Sequence, residues 1–227
     1  MRFTELVRQI SLSFPDIKLN TIKGGMWDLD VKFSEKVFKP EKGIFKLNKY
    51  QDIESQAKLV SKLKEQDFYD PFANFLVEET LEATSAIPLG GSVFKDKWGT
   101  PDVIGVRKTS RRELLDVPTE IISAEIKLNP SELITAFGQA CAYRLFSHKI
   151  YLVIPNESSQ EDQERIDSLC LIFGIGLVIY DSRNNNNPKW EIKNRPQKFD
   201  PDIFYTNTYL KKIEKSRPDL FKILFPV

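Results

Sequence analysis

The sequence of 227 residues predicts an α/β fold in which a mixed central sheet is flanked by helices, with a small N-terminal helix-plus-hairpin extension. Three observations predict it. From residue 70 onward, helical patterns alternate with strand patterns; the strand segments are short, apolar and rich in β-branched residues; and helix start and stop signals separate them. Apolar residues make up 41% and charged residues 29% of the chain, a balance typical of a folded globular protein.

The N-terminal region shows a helical pattern and then two strand patterns. Apolar residues at helical spacing predict a helix over 2–10, and the alternation of Trp27, Leu29, Val31 and Phe33 predicts a strand. A second strand is expected at 43–47. Residues 1–50 therefore predict a small extension whose layout resembles a truncated winged-helix module, with a simple packing extension as the alternative. Residues 51–69 predict a connecting helix.

The region 70–181 predicts the main core. Asp70 and Pro71 begin a helix that is expected to end near 87–88, and Asn129 with Pro130 begins another that runs to about 146. The expected strands are 93–94, 103–107, 121–128, 149–154 and 176–180, with a further helix over 159–173. The order is helix, three strands, helix, strand, helix, strand. Residues 182–227 are expected to form a polar loop and helices, near 210–214 and 220–224, that pack on this core.

Composition excludes several classes of site. The chain has two cysteines and one histidine, too few for a cysteine-built zinc site or a histidine-built metal centre. The net charge is +1, so no overall positive field indicates a nucleic-acid partner. The least polar run, 169–180, is too short to span a bilayer, and charged residues near the N-terminus argue against a secretion signal. We therefore expect a cytoplasmic protein whose chemistry depends on carboxylates.

Two charged residues, Glu125 and Lys127, fall inside one predicted strand, and Asp102 lies at the start of the strand before it. Side chains alternate along a strand, so Glu125 and Lys127 share one face while Ile126 points to the other. A buried strand avoids such charges unless a partner or a metal compensates them. Asp102 begins the preceding strand, so these residues can converge at one sheet edge. Carboxylates, the Ile126 carbonyl and water are the hard oxygen ligands that Mg²⁺ prefers. An ordinary surface ion pair between Glu125 and Lys127 is the alternative.

These residues resemble a known family. Pro101-Asp102 followed by Glu125-Ile126-Lys127 is similar to the PD-(D/E)xK signature of restriction-endonuclease-like nucleases, whose core is helix, three strands, helix, strand. The resemblance covers about 68–181 and implies that Asp102 and Glu125 bind divalent metal while Lys127 assists hydrolysis. The interval between Asp102 and Glu125 is longer than the motif needs and leaves the intervening loop unexplained.

The resemblance also implies roles for residues on the flanking helices. Many members carry an acidic residue on the first helix, for which Glu79 is the best match and Glu82 the second. Some members have a glutamine and a tyrosine four residues apart on the helix after the ExK strand, as Gln139 and Tyr143 are. Gln139 would then position Lys127 or the metal, and Tyr143 would approach the DNA backbone. Structural or packing roles are the alternatives for all of these.

A short basic cluster offers candidate phosphate contacts. Its members are Arg107, Lys108, Arg111 and Arg112, although such runs are more often solvated surface. Together these features predict a Mg²⁺-dependent DNA endonuclease, with Mn²⁺ as a substitute, in restriction, defence or repair. Cutting both strands would favour a homodimer. A non-catalytic DNA-binding or assembly module on the same fold is the alternative, and a structural protein with a coincidental motif is a third.

Overall fold

A computed structural model describes residues 3–26, 29–41, 44–50, 63–91, 93–95, 98–109, 114–115 and 117–226. The chain divides into two compact units, Met1–Lys62 and Leu63–Val227. Each unit is considered by itself below. Within the described part of the chain, we find no helix with the length and apolar character needed to cross a bilayer.

The first unit contains short helices and one hairpin. Its elements are α1 (Phe3–Ser13), α2 (Leu19–Met26), α3 (Leu29–Lys32), β1 (Val37–Glu41) and β2 (Ile44–Leu47). The two strands pair antiparallel. Val7, Ile22 and Met26 form a small buried cluster between α1 and α2. The first helix and the second strand lie close to their predicted positions, but the hairpin pairs residues 37–41 with 44–47, and the winged-helix resemblance stays a prediction.

The strand expected around residues 27–33 is wrong where the structure describes it. Residues 29–32 form the helical turn α3, closed by a hydrogen bond from the Phe33 amide to the Leu29 carbonyl at 3.0 Å. Leu29 and Phe33 are four positions apart, so they fit helical spacing as well as strand alternation. Val31, the residue between them, is 74% exposed. Trp27 lies outside the described residues.

The second unit is built on a six-stranded mixed sheet. Its strands are β3 (Ser85–Pro88), β4 (Val103–Arg107), β5 (Glu120–Ile126), β6 (Lys149–Pro155), β7 (Gly176–Tyr180) and β8 (Glu191–Asn194). They lie side by side in chain order. The β5–β6 and β6–β7 pairs are parallel and the other neighbours are antiparallel. The α/β architecture with a mixed sheet is therefore confirmed, and β8 is an addition that the sequence pattern did not reveal.

Helices cover both faces of this sheet. These helices are α4 (Tyr69–Asn74), α5 (Leu133–Tyr143), α6 (Gln160–Phe173), α7 (Ile203–Ser216) and α8 (Pro218–Leu224). On one face, strand residues such as Ile104 and Ile121 join a core with residues from α5 to α8. On the other, Ile122 and Ala124 join a core with Phe72 and other residues around α4. Because both faces are covered, the central strands are apolar on both sides.

The first helix of this unit is shorter than predicted. It becomes a π-helical turn over Phe75–Glu79, and Ser85–Pro88 is the first strand instead of 93–94. The Thr84 amide already donates to the Val106 carbonyl at 2.8 Å. Pairing with β4 therefore makes this segment a strand, and most of its residues are weak helix formers. Phe94 lies in a turn and is buried in the core.

Sequence signals at the next two helices are confirmed. The Asn129 side chain accepts from the Ser131 amide at 3.1 Å, and Ser159 caps α6 by accepting from the Asp162 amide. Gly174 ends α6 with a left-handed φ of 66°, a conformation that glycine adopts without a steric penalty. These caps fix where the chain enters and leaves the sheet, and hence which residues reach its ends.

Candidate active site

The candidate site lies where the carboxyl end of β5 meets the beginning of β4. Because these strands are antiparallel, Asp102, just before β4, comes to the same end of the sheet as Glu125. The Asp102 amide donates to the Ala124 carbonyl at 3.0 Å. In return, the Ile126 amide donates to Asp102 Oδ2 at 2.8 Å. Asp102 is thus held directly against the Glu125–Lys127 segment, as the sequence predicted.

Glu125 and Lys127 form a buried ion pair. Lys127 Nζ lies 3.0 Å from Glu125 Oε1. Glu125 is 2% exposed and Lys127 is 9% exposed. An ordinary surface pair would be largely solvated, so this alternative does not describe the two residues. The charges are kept inside the protein, where they interact strongly with each other and with their neighbours.

Glu65 joins this cluster and was not expected from the sequence. It begins a 3₁₀ turn, Glu65–Phe68, that leads directly into α4. Its Oε1 lies 3.3 Å from Lys127 Nζ, and its Oε2 accepts from the Leu128 amide at 3.2 Å. A four-residue turn has no apolar periodicity that could indicate a face. The only signal in the sequence was the presence of two acidic residues, Glu65 and Asp67, just before the aromatic residues that start at Phe68.

Three buried tyrosines donate to the predicted catalytic residues. The Tyr143 hydroxyl donates to Glu125 Oε2 at 2.6 Å. The Tyr69 hydroxyl bonds the Asp102 carboxyl, and the Tyr180 hydroxyl donates to the Lys127 carbonyl at 3.0 Å. The tyrosines come from α5, α4 and β7, so three separate elements fix the position of the cluster.

Burial and charge shift the pKa values of these groups. Burial, followed by repulsion from Glu125, raises the pKa of Asp102 from 3.8 to about 8. Burial also raises the pKa of Glu125, although the Tyr143 hydroxyl and the Lys127 ammonium counteract it. For Lys127, burial lowers the pKa, but the charges of Glu125 and Glu65 outweigh it and bring the pKa to about 12. At neutral pH, Lys127 is therefore a cation and Asp102 retains a proton.

The structure does not bring Glu79 into this cluster. Glu79 is exposed at the end of the π-helical turn and lines a surface pocket beside Trp190. Glu82, the second choice, is buried elsewhere. Its carboxylate lies 2.7 Å from Lys149 Nζ and 2.9 Å from Arg195 Nη1, at the amino end of β6. The metal role predicted for Glu79 has no geometric basis because α4 ends too early, and Glu65 is the acidic residue that reaches Lys127.

The basic cluster is also separated from the carboxylates where it is described. Arg107 pairs in register with Glu120, five residues before Glu125 along β5. At about 3.4 Å per residue this is roughly 17 Å. Arg107 and Lys108 are exposed at that far end of the sheet, so they do not line the site. Arg111 and Arg112 lie outside the described residues.

Gln139 and Tyr143 both face the loop that precedes Asp102. A Cβ placed on Gly99 would lie 3.4 Å from the Tyr143 hydroxyl and 3.6 Å from Gln139 Nε2. Tyr143 is fully buried and bonded to Glu125, so its predicted approach to a DNA backbone is wrong in this structure. It positions a carboxylate instead. The role of Gln139 beside Lys127 or a metal stays a prediction.

The donor chemistry of the cluster fits a hard divalent cation. Asp102, Glu125 and Glu65 supply carboxylate oxygens, and the repulsion that raises the pKa of Asp102 indicates negative charge that a cation would neutralise. In the structure these oxygens bind protein donors instead. Among the residues that the structure describes, no three His, Cys, Asp or Glu side chains are already arranged around one metal position. The Ile126 carbonyl stays a predicted ligand.

Comparison with protein-family models, curated proteins and solved structures finds no match to this chain.

Proposed function

We propose that this protein is a metal-dependent nuclease that hydrolyses phosphodiester bonds in DNA, on a restriction-endonuclease-like core. The observation that carries the proposal is the convergence of Asp102, Glu125 and Lys127, from two neighbouring antiparallel strands, at one end of the sheet. The order helix, three strands, helix, strand over residues 69–155 supports it as well. Glu65 adds a third carboxylate from the turn that precedes α4.

Mg²⁺, or Mn²⁺ in its place, would be held by Asp102 and Glu125 with help from Glu65. The ion would supply Lewis acidity and lower the pKa of a bound water. The role of Lys127 in the proposed reaction follows from the positive charge of its ammonium. Because its pKa is about 12, it donates hydrogen bonds and does not accept a proton at neutral pH. It can therefore orient the attacking water and offset the growing negative charge on the phosphate oxygens.

The buried tyrosines hold the carboxylates in place during this reaction. Tyr143 fixes Glu125 and Tyr69 fixes Asp102, and burial raises the pKa of both phenols. They therefore remain protonated donors at neutral pH. Hydrolysis adds water across one P–O bond, so one product ends in a phosphate and the other in a hydroxyl. The tyrosines position ligands and do not take part in proton transfer.

A second candidate is a non-catalytic DNA-binding or assembly module on the same fold. One observation favours it: both oxygens of Glu125 are already bonded to protein donors, Lys127 and Tyr143. A cation would have to replace at least one of these contacts. If the protein donors hold Glu125 too tightly, the site would be structural.

A cleavage assay with purified variants separates these two functions. The wild-type chain is incubated with plasmid and with single-stranded DNA, in Mg²⁺ and in chelator, beside Asp102→Ala, Lys127→Ala and the matched exposed change Glu79→Ala. We expect Mg²⁺-dependent cutting that falls roughly 100-fold or more in the two site variants and is unchanged in Glu79→Ala. Thermal unfolding of each variant checks that the fold survives.

Binding without cutting by the wild type would favour the non-catalytic module. Equal cutting by wild type and Asp102→Ala would identify a contaminating nuclease and remove the basis of the proposal. If cutting of both strands is seen, sedimentation with DNA tests the homodimer that such cutting favours. The setting in restriction, defence or repair stays a prediction.

A further inference from the structure

A surface groove of about 650 Å³ lies beside the carboxylate cluster within the second unit. Its lining includes Gln66, Tyr69, Gly90, Gly91, Lys95 and Arg217. A volume of this size is within the range of sites that bind small ligands or segments of larger ones. Neither the sequence pattern nor the proposed reaction assigns a role to it.

The groove shares a wall with the candidate active site. Tyr69 lines the groove while its hydroxyl bonds Asp102. Leu89 and Gly90 form the adjoining wall and are hydrogen-bonded to the residues just before β4. The Leu89 amide donates to the Asp102 carbonyl at 2.8 Å, and the Gly90 amide donates to the Pro101 carbonyl at 3.1 Å. A polymer bound with one phosphate at Asp102 would therefore continue into this groove.

Two glycines lie along that wall, of which Gly91 is exposed. Both have left-handed φ values, 54° at Gly90 and 60° at Gly91. A Cβ on Gly90 would lie only 2.7 Å from Tyr69 Cε2, whereas a Cβ on Gly91 would meet nothing within 4 Å. Gly90 therefore allows the close packing of Tyr69, and Gly91 leaves the wall open to a ligand.

Two basic side chains line the same groove. Lys95 is exposed, and its backbone adopts a left-handed φ of 52°. Arg217 lies between α7 and α8. Its Nη2 atom is 3.0 Å from Asp219 Oδ2. Both members of that pair are largely solvated, so the pair is weak and the guanidinium can exchange Asp219 for a phosphate at little cost.

We infer that this groove binds the sugar-phosphate backbone of the DNA strand next to the scissile phosphate, through Lys95 and Arg217. The inference rests on the proposed function for the identity of the ligand. Its own support is the placement of two cations in a groove that shares Tyr69 with the Asp102 site.

The test measures binding rather than cutting. A short fluorescein-labelled single-stranded DNA is titrated with the full chain in chelator, and anisotropy gives the affinity at several NaCl concentrations. The variants are Lys95→Ala and Arg217→Ala. Lys193→Ala is the matched control, because Lys193 is an exposed cation paired with Glu191 on the edge strand β8. Each groove variant should weaken binding and reduce the slope of log affinity against log salt by about one, while the control should match the wild type.

The outcomes separate the groove from the nuclease proposal. Binding by the groove variants with the wild-type slope, or no DNA binding by the wild type, overturns the groove assignment. Loss of binding in Lys95→Ala and Arg217→Ala supports it even if the wild type does not cut DNA, a result that would remove only the catalytic proposal. Thermal unfolding of Lys95→Ala confirms that a change at a left-handed position has not disturbed the fold.

Discussion

Replacing Asp102 with asparagine should stabilise the metal-free protein, and the gain should grow as pH rises. The pKa of this carboxyl is 3.8 in its ordinary state and about 8 in the folded protein. Between these values the folded protein keeps a proton that the unfolded chain has lost. The contribution of Asp102 to stability is therefore complete below pH 3.8 and is lost as pH rises through about 8.

The size of the effect follows from the one proton that Asp102 keeps in the folded protein and loses in the unfolded chain. Each pH unit in this window removes about 1.4 kcal/mol from the free energy of unfolding. From about pH 5.5 to about pH 7.5 the wild type should therefore lose about 3 kcal/mol relative to Asp102→Asn. Asparagine is neutral at all pH values and keeps an oxygen that can accept from the Ile126 amide, so packing changes little.

Urea unfolding in chelator at several pH values measures this difference. Glu120→Gln is a matched control at the other end of the sheet. Although burial acts to raise the pKa of Glu120, Lys198 and Lys149 lower it overall. Its contribution is then present above its ordinary value of 4.5 and lost only in acid, so the difference between this variant and wild type should be flat from pH 5.5 to 7.5. A flat difference for Asp102→Asn would refute the reasoning, because it would show that Asp102 is already ionised.

Three further changes test the other contacts. Glu65→Gln should lower Mg²⁺-dependent cleavage about tenfold or more, whereas Glu79→Gln should not; equal rates in a cleavage assay would contradict the placement of Glu65. Tyr143→Phe should cost about 1–3 kcal/mol because it removes a buried hydroxyl that donates to a carboxylate; urea unfolding measures this, and unchanged stability would count against the bond. Lys149→Met should cost about 1–3 kcal/mol, since it removes the cation that Glu82 and Glu120 share but leaves Arg195 and Lys198 beside them, while cleavage stays at the wild-type rate; lost cleavage in a folded variant would mean that the two ends of the sheet are not independent.

Much of the second unit is predictable from local signals. The strands β4 and β7 have the bounds that their apolar runs indicate, and Asn129, Ser159 and Gly174 mark helix ends by side-chain or backbone chemistry that acts within a few residues. The first strand is different. In residues 84–88 only Ala86 is a good helix former, so the local signal is weak, and pairing with β4 makes the segment a strand.

The candidate site divides in the same way. Asp102, Glu125 and Lys127 are predictable because charge inside an apolar strand demands a partner. Glu65 is not, because its contact with Lys127 depends on a turn whose direction is set by packing of α4 and leaves no periodic pattern. The prediction of a metal role for Glu79 failed for a related reason. It assumed that α4 continues as a regular helix beyond Asn74, which would place Glu79 differently.

Glu65 stands two positions after the first residue of the second unit, and this matters for any shortened form of the protein. A fragment that starts at residue 63 retains every contact described for Lys127 and Leu128. One that starts at residue 69 keeps the whole sheet and α4, yet removes the acceptor of the Leu128 amide and one of the two acids beside the Lys127 ammonium. Truncation limits chosen from secondary structure alone would therefore remove Glu65 together with Phe68, which is fully buried in the core.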